Sequence, residues 1–317
     1  MGGLVGLAGA PPIAARAQPA PKTYTILWLS TELQSDPFIE GFRDGMRNHG
    51  YVEGVNLAFV TRYAPGHPSA LKAKLPELLA IPADLIVTSG PATQALRAAT
   101  DRTILFAMSG DPVALGVADS LAHPGRNFTG CTFMSLDLAQ KRVEMLHDIL
   151  PNLGTLAILS YAAHPGEASE HDATERAARA LSMRLAYVPF DAGDEIEAAL
   201  ERIGKANAGA MLVFPDAVTL RRRVRIAQFA IAHRLPSMFG WSEYCEAGGL
   251  ASYGANQRAT YVRLAAYAHR LLQGEKPADL PVEEPTSFEL VFNTGTAKEL
   301  GLTIPTFFVA RADRLIE

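Results

Sequence analysis

The chain has 317 residues, 48% of them hydrophobic and 20% charged, which is enough to bury a large core and to build two domains of ordinary size. A net charge of -4 leaves no basic footprint for a nucleic-acid backbone, so nucleic acid is not an expected partner. Cys131 and Cys245 stand far apart without a CxxC neighbour, which removes zinc ribbons, thioredoxin motifs and disulfide scaffolds.

Residues 1–23 combine a short apolar stretch, a Pro-rich break and Ala15-Arg16-Ala17, a pattern that a signal peptidase cuts. No Lys or Arg precedes Arg16, so the segment reads as an export signal truncated at its start, the alternative being a tail without regular structure. No later run approaches the roughly 18 apolar residues of a membrane span, so a chain that does not span the membrane is expected.

YTILWLS (24–30) predicts a first strand, and Phe38, Phe42 and Met46 then recur at helical spacing up to Gly50. VNLAFVTRY predicts a second strand, followed by a helix at 70–79, a strand from Leu85 to Val87, a helix at 92–99 and a strand from Ile104 to Met108. LIVTSGPATQAL and ILFAMSGDPVALG repeat one pattern: an apolar strand, Ser-Gly, a proline and a helix. Pro91 and Pro112 suit a first helical turn, which needs no N–H. In a parallel sheet such turns lie side by side at the carboxyl edge, where helix N–H groups can receive an anion.

After HPGRN (123–127) the alternation starts afresh with strand FTGCTFM, a helix at 136–149 and strands TLAILSY, LAYVPF and AMLVFPD. Helices are expected between them at about 169–182 and 194–204, and another at about 219–233 before SMFGW. GGLASYG, a helix at 258–272, SFELVFN and a helix at 296–300 are too few for a third domain and should complete the two sheets. The fold class is α/β, two lobes flanking a cleft. One lobe takes residues 24–130 with about 254–282, and the other 131–253 with about 283–317.

No GxGxxG follows the first strand, and neither GxxxxGK[ST] nor GxSxG occurs. The eight histidines are scattered, and His164 and His171 read as surface residues rather than metal ligands or bases. No cofactor or metal is expected, and an enzyme on this scaffold would need a titratable pair that the sequence does not display. What recurs instead is a set of polar or aromatic residues at strand ends: Ser30 and Thr31, Ser89 to Thr93, Ser109 to Pro112, Tyr161, Asp216, Trp241 to Glu243 and Tyr253. Groups at Ser89, Gly90 and Thr93 suit a carboxylate. Asp111 and Asp216 can each accept from an ammonium or cap the helix that follows. Phe133, Tyr161, Trp241 and Tyr253 can stack on an aromatic side chain, although tyrosine and tryptophan also line sites for sugars and purines, and Trp241 and Tyr253 can equally serve as core aromatics.

GYVEGVNLAFVTRYAPG, the stretch from SGDPVALG to LGTLAIL (109–159), EAGGLASYG and the closing DLPVEEPTSFELVFNTGTAKELGLTIPTFFVARADRLIE resemble the substrate-binding proteins of ABC transporters, of the tryptophan or aromatic-amino-acid type, over about residues 24–317. The resemblance implies a type-I periplasmic-binding-protein fold: two Rossmann-like lobes with parallel sheets, joined by a three-segment hinge that closes on a small-molecule ligand. It implies a periplasmic location and two partners, an ABC permease and its ATPase. It also implies ligand-facing positions at Ser89, Gly90, Thr93, Asp111 and Asp216; the strand-end reading above adds Ser30, Thr31, Phe133, Tyr161, Trp241, Glu243 and Tyr253 to the expected site. A ligand-sensing receptor domain of the same fold is the alternative function; it needs an attached output module, and residues 1–23 are too short for a helix-turn-helix.

Overall fold

Leu85–Ser89 and Ile104–Met108 are buried at every position, the signature of strands covered on both faces. The structure, a computed structural model, describes residues 22–30, 38–63, 68–133, 136–191 and 196–317. The expected export signal and Thr31 lie outside them. The first part of the chain runs β1 (Tyr24–Ser30), α1 (Ile39–Asn48), β2 (Leu57–Tyr63), α2 (Pro68–Leu79), β3 (Leu85–Ser89), α3 (Pro91–Leu96), β4 (Ile104–Met108) and β5 (Phe128–Thr132). Its strands form a parallel sheet in the order β2-β1-β3-β4-β5.

Two expectations are corrected here. The strand at 128 does not open the second sheet, because it pairs with β4 from Ile104↔Phe128 to Met108↔Thr132. No helix follows Pro112 either: residues 109–127 are turns and bends. The Asp111 side chain accepts from the amides of Val113 and Ala114, and Gly116 at φ 65 ends the short coil.

The chain continues as α4 (Leu136–Ile149), β6 (Thr155–Tyr161), α5 (Glu167–Ala180), β7 (Arg184–Phe190), α6 (Ile196–Lys205), β8 (Ala210–Val213), α7 (Ala217–Arg221), α8 (Arg223–Ala232), β9 (Ser237–Phe239), α9 (Glu243–Glu246) and β10 (Ala251–Ala255). Then come α10 (Gln257–Leu272), β11 (Phe288–Asn293), α11 (Thr294–Leu300), α12 (Thr306–Arg311) and β12 (Arg314–Ile316). The second sheet has the order β12-β11-β10-β9-β8-β6-β7. It is parallel except for β10 and β11, which pair antiparallel with Ala255 opposite Phe288. The chain leaves this sheet at Ala255, forms α10 on the first sheet and returns at the edge it left, so β11 must run the opposite way. The helix expected at about 219–233 is two helices, divided at Arg222 (φ -94, ψ 7).

Helix α10 seats against α1 through small residues. A Cβ at Gly45 would stand 2.5 Å from the Ala265 Cβ and 2.6 Å from the Val262 carbonyl oxygen, so glycine sets the approach of the two helices. Phe42 and Met46 on α1 and Leu264 and Tyr261 on α10 close the seam and are fully or almost fully buried. Gly45→Ala is therefore expected to destabilise the protein by about 1–3 kcal/mol through overpacking, read as a lower Tm in thermal unfolding with unchanged secondary structure at 20 °C or so.

Candidate functional site

The strand order reverses between β1 and β3 in the first sheet and between β6 and β8 in the second. At such switch points the connecting segments diverge and leave a crevice beyond the carboxyl ends of the strands. A cavity lies there between the two sheets. Ser89 to Pro91 after β3, Ser109 after β4 and Phe133 after β5 line it from one side, joined by Phe38 and Tyr261 from α1 and α10. His164 after β6, Pro215 to Ala217 after β8 and Trp241 after β9 line it from the other. Its volume is about 20 Å³, room for about one water molecule, so a larger ligand requires the two walls to part.

Part of the cavity lining is aromatic. Phe38 stacks on Tyr261 with centroids 4.9 Å apart and planes within 4°, and meets Trp241 edge-on at 5.9 Å. Phe133 stands edge-on to Trp241 at 6.2 Å and tilted to Tyr261 at 6.2 Å. The edge-to-face geometry of the two Trp241 pairs is what the ring quadrupole favours.

The lining also carries charge, at His164 and Asp216. Asp216 is the N-cap of α7 and accepts from the Val218 amide at 2.6 Å, the capping alternative read from the sequence. Its Oδ2 also lies 3.5 Å from Nδ1 of His164, whose Nε2 lies 3.6 Å from Oε2 of Glu170. These separations are long for hydrogen bonds, so the attraction is Coulombic. All three residues are buried: His164 is 4% exposed, Glu170 3% and Asp216 5%. Burial alone would lower the His164 pKa, but Asp216 and Glu170 outweigh it and raise the pKa from 6.5 to about 10. The imidazole is therefore a cation at neutral pH.

Arg142 of α4 backs this cluster. It is buried, its Nε donates to the Tyr253 carbonyl at 2.8 Å, and Glu170 sustains its charge against the lowering effect of burial. Its guanidinium needs the space left by glycine: a Cβ at Gly254 would meet the Gly240 carbonyl oxygen at 1.9 Å and Nη2 of Arg142 at 3.3 Å.

Of the residues expected from the sequence, the cavity brings together Ser89, Gly90, Phe133, Asp216 and Trp241. Ser30 is buried at the end of β1, Tyr161 packs on Phe190 and Tyr253 on Phe288; none of them lines the cavity. Thr93 is fully buried within α3. Its amide bonds the Gly90 carbonyl, and the Gly90 amide bonds the Ala107 carbonyl, so neither is offered to a ligand carboxylate. Asp111 is exposed, caps its own turn and lines a different surface cavity. Glu243 lines a neighbouring cavity.

Phe38, His164 and Tyr261 also line the cavity, Phe38 and Tyr261 without a sequence signal that singles them out. The two aromatics follow helical spacing and read as core, while His164 was assigned to the surface. Its place directly after a strand end, in Tyr161-Ala-Ala-His164-Pro165, was the available signal. Ser109 was visible as a strand-end hydroxyl. Its Oγ is buried and makes no hydrogen bond among the described residues.

Removing the cation at His164 leaves two buried carboxylates facing each other. His164→Leu is expected to cost about 3–5 kcal/mol in urea unfolding. Because the folded pKa lies above the unfolded one, the stabilisation is complete below pH 6.5 and is lost as pH rises through about 10, so the variant's stability should fall less than the wild type's over that window.

Among the described residues no helix is long and apolar enough to cross a membrane. A tyrosine-binding protein of Clostridioides difficile (strain R20291) is 22% identical over 267 residues, covering 83% of this chain and 76% of that protein. A conserved domain protein from Vibrio cholerae O1 biovar El Tor superposes with a TM-score of 0.84 at 25% identity, covering 93% of this chain and 100% of that one. The ABC domain from Streptococcus pneumoniae in complex with L-Trp superposes with a TM-score of 0.83 at 24% identity and the same coverage, and further solute-binding proteins share the type-I periplasmic-binding fold. The family model for ABC transporter substrate binding proteins matches residues 34–316, and the chain belongs to that family.

Proposed function

We propose that this protein is the exported solute-binding component of an ABC importer and captures an aromatic α-amino acid in the cavity between its sheets. The observation that carries the reading is the pairing of an aromatic enclosure with a fixed His164–Asp216 ion pair in the same lining. An α-amino acid is a zwitterion. Its ammonium faces the Asp216 carboxylate, its carboxylate faces the His164 imidazolium and the Ser109 hydroxyl, and its ring enters among Phe38, Phe133, Trp241 and Tyr261. Each interaction is made out of water, where charge-assisted contacts are strongest.

The tyrosine-binding relative and the L-Trp complex support this ligand class. Capture requires no covalent step. A ligand that touches both walls favours the closed arrangement by its differential affinity, which lets a permease and its ATPase distinguish loaded from empty protein. Delivery to such partners places the protein outside the cytoplasmic membrane.

Isothermal titration of purified protein with L-tryptophan, L-tyrosine, L-leucine and a hexose tests the reading. The aromatic amino acids should bind and raise the Tm, with leucine much weaker and the sugar silent. Asp216→Ala should weaken aromatic binding by about 2–5 kcal/mol. Trp241→Ala should weaken it without disturbing the Val218 cap. Binding of the hexose, or binding of aromatic amino acids that both variants leave unchanged, would contradict the assignment.

A further inference from the structure

A second cavity, of about 230 Å³, shares Phe38 with the aromatic one. Gly41, Gln257 and Arg258 line it from α1 and α10, and Leu220, Arg223 and Glu243 from α7, α8 and α9. Its floor holds an anomaly. Gln257 is 3% exposed, yet neither Oε1 nor Nε2 of its side chain has a hydrogen-bond partner among the described residues. A buried amide lacking both is rare in folded proteins, because each unsatisfied atom forfeits its bond to water; such groups are tolerated where a ligand completes them.

The position of Gln257 connects it to the ring enclosure. Tyr261 is one helical turn further along α10 and therefore shares its face, and Tyr261 walls the aromatic cavity. On the opposite side Trp241 lines the aromatic cavity and Glu243, two residues on, lines the second one. Burial pushes the Glu243 carboxyl above its ordinary range. Phe38, which lines both cavities, joins the ring enclosure to the one that Gln257 lines.

We propose that Gln257 forms a polar subsite that reads the tip of the ligand ring and selects a phenol over an unsubstituted phenyl group. This rests on the aromatic amino acid reading above. A phenol hydroxyl donates to Oε1 and accepts from Nε2, so tyrosine satisfies both atoms. An indole N–H only donates and satisfies one. Phenylalanine satisfies neither and leaves the amide buried and unpaired.

The test is calorimetric titration of wild-type protein and Gln257→Leu with L-tyrosine and L-phenylalanine. Wild type should prefer tyrosine by at least about tenfold, as sites built to bond a hydroxyl reject the analogue without it. Gln257→Leu should bring the ratio near one, chiefly by weakening tyrosine, with phenylalanine affinity held within about twofold. Equal affinities in the wild type, or a preference that survives in Gln257→Leu, overturns the Gln257 assignment and leaves the amino-acid reading intact. If wild type binds neither amino acid, both fall. Should Gln257→Leu not fold, Gln257→Ala replaces it, and the wild-type ratio decides by itself.

Discussion

The buried alternation of charge through Arg142, Glu170, His164 and Asp216 is the constraint around which the second sheet is arranged. Two cations and two anions, drawn from α4, α5 and the segments after β6 and β8, neutralise one another out of water. Each charge would be costly alone, and together they hold their elements in register. The glycines at 240 and 254 admit the Arg142 guanidinium, and the capping of α7 by Asp216 fixes the carboxylate that faces the cavity. A structural network and a cavity wall are thus the same atoms, and on the proposed reading the ligand meets an ion pair that is already formed and oriented.

The first sheet contributes shape rather than charge. Its aromatic wall is assembled from Phe38, Phe133 and Tyr261, which come from the start of α1, the exit of β5 and the face of α10. Helix α10 follows β10 of the second sheet in sequence but packs against α1, so the wall depends on the chain crossing between sheets. Near that crossing, Glu283 accepts two hydrogen bonds from Arg263, and the guanidinium holds its carboxyl below the ordinary range. The Thr132 amide bonds the Glu283 carbonyl, and the Glu283 amide bonds the Gly130 carbonyl. Two of the connecting segments are therefore tied to each other, a geometry suited to hinge motion that moves them together.

Much of this was legible in the sequence. The continuous apolar runs at 85 and 104 announced strands buried on both faces, and strand-end residues such as Ser89, Asp216 and Trp241 pointed to the carboxyl edge. What stayed hidden followed from non-local packing. The β5 strand looked like a new beginning because nineteen residues of turns, and no helix, separate it from β4. Asp111 and Asp216 had the same local signature, an aspartate before a turn, and only the fold shows that one caps in solvent and the other at a cavity. His164 resembled any loop histidine until Glu170 and Asp216 were placed around it. Phe38 and Tyr261 obeyed helical periodicity, which cannot distinguish a core face from a ligand wall.

The proposed site fixes the direction in which a ligand lies, headgroup at the ion pair and ring among the aromatics. A crystal structure of the protein grown with L-tyrosine measures this directly. The account predicts the ammonium within hydrogen-bonding distance of Asp216 and the carboxylate beside His164, with the ring between Phe38 and Trp241. A ligand seated elsewhere, or one whose headgroup turns away from the His164–Asp216 pair, would contradict it.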